Sequence, residues 1–180
     1  MIISICGLKG SYAETAAIKM VGENVSFLYC NSFTSALESV QKNQSDFAVL
    51  PVKTSNSGFV KEVKELLFSD NYIVKQKYNL NTHHCLLALK GTDIRSIDTV
   101  YSHPKALQEC SLYLNKINVS ERVIYNTAAG AKHVAEHRLV NVAAIASKLS
   151  AKVYGLEIIA NNIENNDDVT TFYLVGVKYY

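Results

Sequence analysis

The feature that most limits what this chain can fold into is a rhythm. Strand-length apolar runs alternate with segments whose apolar residues recur at helical spacing, along nearly its whole length. Residues 2–6 are an apolar run, Gly7-Leu8-Lys9-Gly10-Ser11 a turn, and 12–21 a helical segment. A strand at 25–30 and a helix at 33–40, with Ser32 as its N-cap, repeat the unit. Asp46-Phe47-Ala48-Val49-Leu50 reads as a buried strand that Pro51 ends, before a polar loop at 53–57 and a helix over 58–68. Such alternation predicts βαβ units and a parallel sheet.

The rhythm breaks in the middle. Residues 72–80 and 83–89 are extended, with little helix between them, and read as segments crossing into a second lobe. There the alternation resumes, with strands at 99–101, 123–125, 142–146 and 156–160 and helices at 104–114, 128–137 and 148–154. A last strand at 170–177 is placed to return to the first lobe. The expected division is 1–76 plus 164–180 for one lobe and 77–163 for the other. A chain of 180 residues, 48% hydrophobic, can bury two cores of that size. In open α/β sheets ligands bind outside the carboxyl ends of strands, where helix N-termini converge. By this reading the loops 7–12, 51–58, 102–105, 126–128 and 166–171 meet in a cleft between the lobes. Helix N-termini suit an anion, so a small anionic molecule is the expected guest.

Composition removes other classes. The formal charge is +2 and the charges are interspersed, without the basic block that nucleic-acid binding needs. No apolar run reaches membrane-spanning length and no signal peptide opens the chain, so no membrane role is expected. Cys6, Cys30, Cys85 and Cys110 form no CxxC pair and read as buried free thiols of a reducing, cytoplasmic compartment. His83-His84-Cys85 are adjacent on a strand and cannot all face one metal, and His133 and His137 lack an acidic third ligand. No metal site is expected.

Several segments, in order, resemble the catalytic domain of prephenate dehydratase. Gly7-Leu8-Lys9-Gly10-Ser11-Tyr12 is similar to the family's GPxGT(F/Y) opening. Asp46 to Ser55 with Gly58 stands where the family has a strand, P-I-E-N-S and a glycine. His84-Cys85-Leu86-Leu87 and Tyr101-Ser102-His103-Pro104-Lys105-Ala106-Leu107-Gln108-Glu109-Cys110 resemble its HCLL and SHPQALxQC segments. Asn126-Thr127-Ala128, Ala143-Ala144-Ile145-Ala146-Ser147, Tyr154-Gly155-Leu156 and Thr170-Thr171-Phe172 resemble its STA, AAIAS, YGL and T-R-F stretches. The resemblance implies an α/β, two-lobed, type II periplasmic-binding-protein-like fold with its ligand cleft between the lobes. It implies conversion of prephenate to phenylpyruvate in phenylalanine biosynthesis, a carbon–oxygen lyase reaction without a cofactor, by a cytosolic homodimer or higher oligomer. The family's C-terminal ACT domain is not expected in this chain.

The resemblance also assigns residues. Thr170 stands for the threonine of T-R-F, a hydrogen-bond donor to the departing hydroxyl. Ser102 at a helix N-terminus suits a substrate carboxylate, and Ser11, Thr54, Ser55, Asn126, Thr127, Thr171 and Phe172 fall in matching site segments. The departures concentrate in the same places: Lys53-Thr54 replaces Glu-Asn, Glu109 replaces glutamine, Thr171 replaces arginine and Asp168 replaces asparagine. One reading is compensation, with Lys53 on the facing loop supplying the lost cation and Glu109 acting as a proton donor. The other is a repurposed site that decarboxylates prephenate or only binds a small anion.

Overall fold

The computed structural model describes residues 1–68 and 71–178. The chain divides into two compact units, one of Met1–Gly7, Tyr12–Thr82 and the segment from Asp168 on, the other of Leu8–Ser11 and His83–Asp167. The expected boundaries at 76/77 and 163/164 therefore move to 82/83 and 167/168.

In the first unit β1 (Ile2–Cys6), β2 (Ser26–Cys30) and β3 (Phe47–Thr54) are parallel neighbours. The final strand, β11 (Asp168–Val177), runs antiparallel between β3 and β5 (Tyr72–Thr82), giving the order β2-β1-β3-β11-β5. The sheet is thus mixed rather than parallel, because β11, reached from β10 without a helical crossover, runs antiparallel to both its neighbours. Helix α1 (Tyr12–Val21) buries Ala13, Ala16 and Ala17 on one face, with Ile3, Ile5, Leu80, Phe172 and Leu174. Helices α2 (Phe33–Gln41) and α3 (Lys61–Leu66) cover the other face, where Leu37, Leu50, Val63 and Val175 meet. Ser32 caps α2 reciprocally with Ser35, its Oγ accepting from Ser35 N at 3.0 Å.

Pro51 does not end its strand. β3 continues to Thr54, and its pairing with β11 steps from Thr171↔Lys53 to Phe172↔Pro51. A bulge at this step accommodates a residue with no N–H in the middle of a sheet. Residues 55–57 then turn the chain back into β4 (Gly58–Phe59), paired with Lys53 and Thr54, so the expected helix starts only at Lys61.

In the second unit the order is β10-β6-β9-β7-β8, comprising β6 (Cys85–Ala88), β7 (Thr99–Ser102), β8 (Ser120–Val123), β9 (Val142–Ala146) and β10 (Glu157–Ala160). Strands β7, β8 and β9 are parallel, whereas β6 and β10 are antiparallel additions. Helices α4 (Pro104–Glu109) and α5 (Ser111–Ile117) line one core face, and α6 (Thr127–Glu136) and α7 (Lys148–Tyr154) the other. The single helix expected over 104–114 is broken at Cys110. Asn165 sits at the break: its Oδ1 accepts from Leu112 N at 3.0 Å, and its Nδ2 donates to Ser111 Oγ at 2.9 Å. A side chain inserted there diverts helical hydrogen bonds. All four cysteines are free and burial raises all four thiols, although only Cys85 and Cys110 are fully buried and Cys6 and Cys30 are half-buried.

Candidate functional site

The expected site residues fall into two groups, one on each unit. Thr170, Lys53, Thr54, Ser55, Thr171 and Phe172 belong to the first, at the carboxyl ends of β3 and β5 and the start of β11. Successive residues of a strand point to opposite faces, and the register sorts this group accordingly. Thr170 pairs with Thr54 on the α1 face, where both are buried. Its Oγ1 lies 3.1 Å from Oγ1 of Thr82, the last residue of β5. Asp168, on the same face and 4% exposed, accepts from Ser55 Oγ at 2.8 Å and from Asn56 N at 3.1 Å. Ser55 Oγ in turn accepts from Val169 N at 2.9 Å. The turn after β3 is thereby pinned to the start of β11. Thr54 Oγ1 accepts from Ser57 N at 3.0 Å and closes the same turn. Phe172 is 3% exposed and is a core residue, not an exposed ligand contact.

Lys53 and Thr171 are direct cross-strand neighbours on the opposite face. Thr171 donates to Asn79 Oδ1 at 2.9 Å, and Lys53 Nζ lies 5.4 Å from the centroid of the exposed Phe59 ring. Lys64 Nζ is 5.2 Å from that centroid. Lys53 is therefore not on the polar loop expected over 53–57; it stands in β3 directly across from Thr171, on the α2–α3 face.

The second group, Ser11, Ser102, Glu109, Asn126 and Thr127, lies on the other unit. Parallel strands β7, β8 and β9 bring the starts of α4, α6 and α7 to one end of their sheet. Ser102 does not cap α4. It is the last residue of β7, fully buried, and its Oγ donates to Ile145 O at 2.7 Å. The cap is His103, whose Nδ1 accepts from Lys105 N at 3.2 Å. Burial and the nearby Lys105 charge hold the His103 ring below its ordinary pKa. Asn126 caps α6, accepting from Ala128 N at 2.8 Å, and Thr127 is the first helical residue.

Glu109 is not an isolated acid. Its Oε2 lies 3.0 Å from Nε2 of the buried His84, and its Oε1 forms a 3.2 Å ion pair with Lys105 Nζ that lacks hydrogen-bond geometry. With both oxygens engaged, it reads as an anchor for His84 and Lys105 instead of a proton donor. Glu164 adds a second link, to His83 Nδ1 at 2.7 Å and His84 N at 2.9 Å. Burial would raise the Glu164 carboxyl, but the bonds from His83 and His84 outweigh it and lower its pKa. Ser11 is buried in a turn whose backbone is clamped: Gly10 O accepts from Ser147 Oγ at 2.6 Å and Ser150 Oγ at 2.8 Å, and Lys9 O from Tyr154 Oη at 2.7 Å. Among the described residues no three His, Cys, Asp or Glu side chains are grouped to hold a metal, and no helix is long and apolar enough to cross a membrane.

The sequence model of the prephenate dehydratase family matches residues 3–179. The chain belongs to the prephenate dehydratase family. It is 35% identical over 180 residues to the bifunctional chorismate mutase/prephenate dehydratase of Buchnera aphidicola from Schizaphis graminum, covering 97% of this chain and 47% of that protein. It is 36% identical over 171 residues to arogenate dehydratase/prephenate dehydratase 2 of Arabidopsis thaliana, covering 94% of this chain and 45% of that one. The chain thus spans about half the length of these relatives. The prephenate dehydratase of Arthrobacter aurescens, solved with L-Phe, superposes with a TM-score of 0.91 at 25% identity, over 100% of this chain and 61% of that one. The two-unit α/β class expected from the sequence is thus the fold of the family.

Two features of this prephenate dehydratase domain were not anticipated. Thr82 lies in a polar Asn81-Thr82-His83 run at a strand end, and nothing in that run indicates a hydroxyl 88 positions away. The His103 cap was legible, because Pro104 favours the first helical position and makes its predecessor the cap.

Proposed function

We propose that this chain converts a prephenate-class dianion into its aromatic keto acid, with loss of carbon dioxide and the ring hydroxyl. The bond to the ring carboxylate breaks, its electrons enter the ring, and the ring C–O bond breaks to release hydroxide. Thr170 donates a hydrogen bond to that oxygen as negative charge develops on it, stabilising the transition state more than the ground state. Thr54 and the Asp168–Ser55 turn hold the sheet end around it.

One observation carries this reading beyond family membership. The replacements at Lys53 and Thr171 are cross-strand neighbours on the face away from Thr170. They act as one coupled change on the α2–α3 face and leave Thr170 in place on the α1 face, where Thr54 and Asp168, each standing for a family asparagine, are polar residues that hold the turn beside it. Ser102 and Asn126, committed to backbone groups, support local geometry in this reading.

The test is incubation with prephenate, and separately with arogenate, followed by absorbance and mass spectrometry. Formation of phenylpyruvate or phenylalanine is expected, with kcat of Thr170→Val at least about a hundredfold lower. A non-aromatic keto acid product makes the chain a decarboxylase. No consumption, together with no thermal stabilisation by either compound, refutes the reading.

A further inference from the structure

The hydroxyl pair on the α1 face of the first unit has a proton to spare. Thr82 Oγ1 and Thr170 Oγ1 are 3.1 Å apart, in residues that are 7% and 8% exposed. Neither hydroxyl has another side-chain hydrogen bond among the described residues. Two hydroxyls carry two protons and their mutual bond uses one. The second O–H is left for an acceptor that the described residues do not supply, and a buried donor without an acceptor is costly. Thr82 pairs directly with Asp168, and Thr170 with Leu80, so the two threonines meet on a diagonal of the β5–β11 ladder. Both side chains are β-branched and restricted in rotation, which fixes the pair.

We infer that Thr82 is a positioning residue: it donates to Thr170, so that the Thr170 proton is the one left for the ligand. When a ligand oxygen accepts from Thr170, the lone pairs of Thr170 need a donor, and Thr82 is the one the fold provides. Hydrogen bonds in a chain polarise one another, so the Thr82–Thr170 bond strengthens as the ligand oxygen gains charge. The contribution of Thr82 is therefore concentrated in the transition state. This inference rests on the proposed dehydratase reaction and names a residue that the reaction alone does not.

The test is steady-state kinetics on Thr82→Val, Thr82→Ser, Thr170→Val and the Thr82→Val/Thr170→Val double variant. Valine keeps the shape and strand preference of threonine; serine keeps the hydroxyl. Thr82→Val is expected to lower kcat about tenfold with KM within about twofold, and Thr82→Ser to recover most of it. In the Thr170→Val background the same change should alter kcat less than about twofold, because the end of the relay is gone. If the valine variant folds poorly, Thr82→Cys, whose thiol is a weak donor, makes the comparison. An active wild type with an indifferent Thr82→Val, or equal losses in both backgrounds, overturns the role of Thr82 alone. A wild type that turns over neither prephenate nor arogenate overturns the dehydratase reading and the role of Thr82 with it.

Discussion

Replacing Gly10 with alanine tests how the 8–11 turn is held. Gly10 has φ +87, in the region that L residues avoid. An added Cβ would stand 2.9 Å from both Cα and Oγ of Ser150, so a helix backbone has to move. The carbonyl of the same residue accepts from Ser147 and Ser150. Positive φ alone costs about 1 kcal/mol for alanine, and each displaced buried hydrogen bond about 1 kcal/mol more. The expected loss is about 3 kcal/mol, which in a chain of this size lowers Tm by about 9 °C. Gly91→Ala is the control. Gly91 has φ +81, but nothing lies within 4 Å of its would-be Cβ. That variant should lose only the backbone term, about 1 kcal/mol or about 3 °C. Calorimetry of both variants beside the wild type measures the difference. Equal shifts would refute the reasoning, since the contact with α7 would then contribute nothing beyond local strain.

Two further outcomes follow from the second unit. Ser102→Ala leaves Ile145 O without its hydroxyl donor and should cost about 1 to 2 kcal/mol in urea unfolding with KM unchanged; a raised KM at unchanged stability would return Ser102 to substrate contact. Glu164→Gln should cost about 1 to 2 kcal/mol at neutral pH. Because the folded Glu164 carboxyl titrates below its ordinary 4.5, its stabilisation is complete above that value and is lost as pH falls through the lower folded value. The gap between wild type and Glu164→Gln should therefore close under acid, and a gap independent of pH counts against the His83 and His84 bonds as its cause.

Local signals in the sequence carried far. Apolar spacing marked β1, α1, β9 and α7 at their observed limits, and Ser32 marked its own cap. The misread stretches are those decided by distant residues. Pro51 signals a strand end, but a bulge against β11 absorbs it. Residues 104–114 have helical spacing throughout, and it is Asn165, far along the chain, that divides them. The site was legible as a set of segments and not as an arrangement. Which face Lys53 occupies depends on a register with a strand more than a hundred residues later. Glu109 looked like a candidate acid because His84 and Lys105 could not be seen around it.

The position of β11 has a consequence for how the chain acquires its structure. This late segment is an interior strand of its sheet, flanked by β3 and β5 along most of its length. During synthesis the first unit cannot complete its sheet until Asp168–Val177 has emerged, although most of its other residues are made first. The second unit is nearly contiguous and can close its core sooner. Pairings across such sequence separations form slowly and leave strand edges open meanwhile. Between those two moments β3 and β5 each lack a neighbour, which makes that interval the most aggregation-prone stage of this protein's folding.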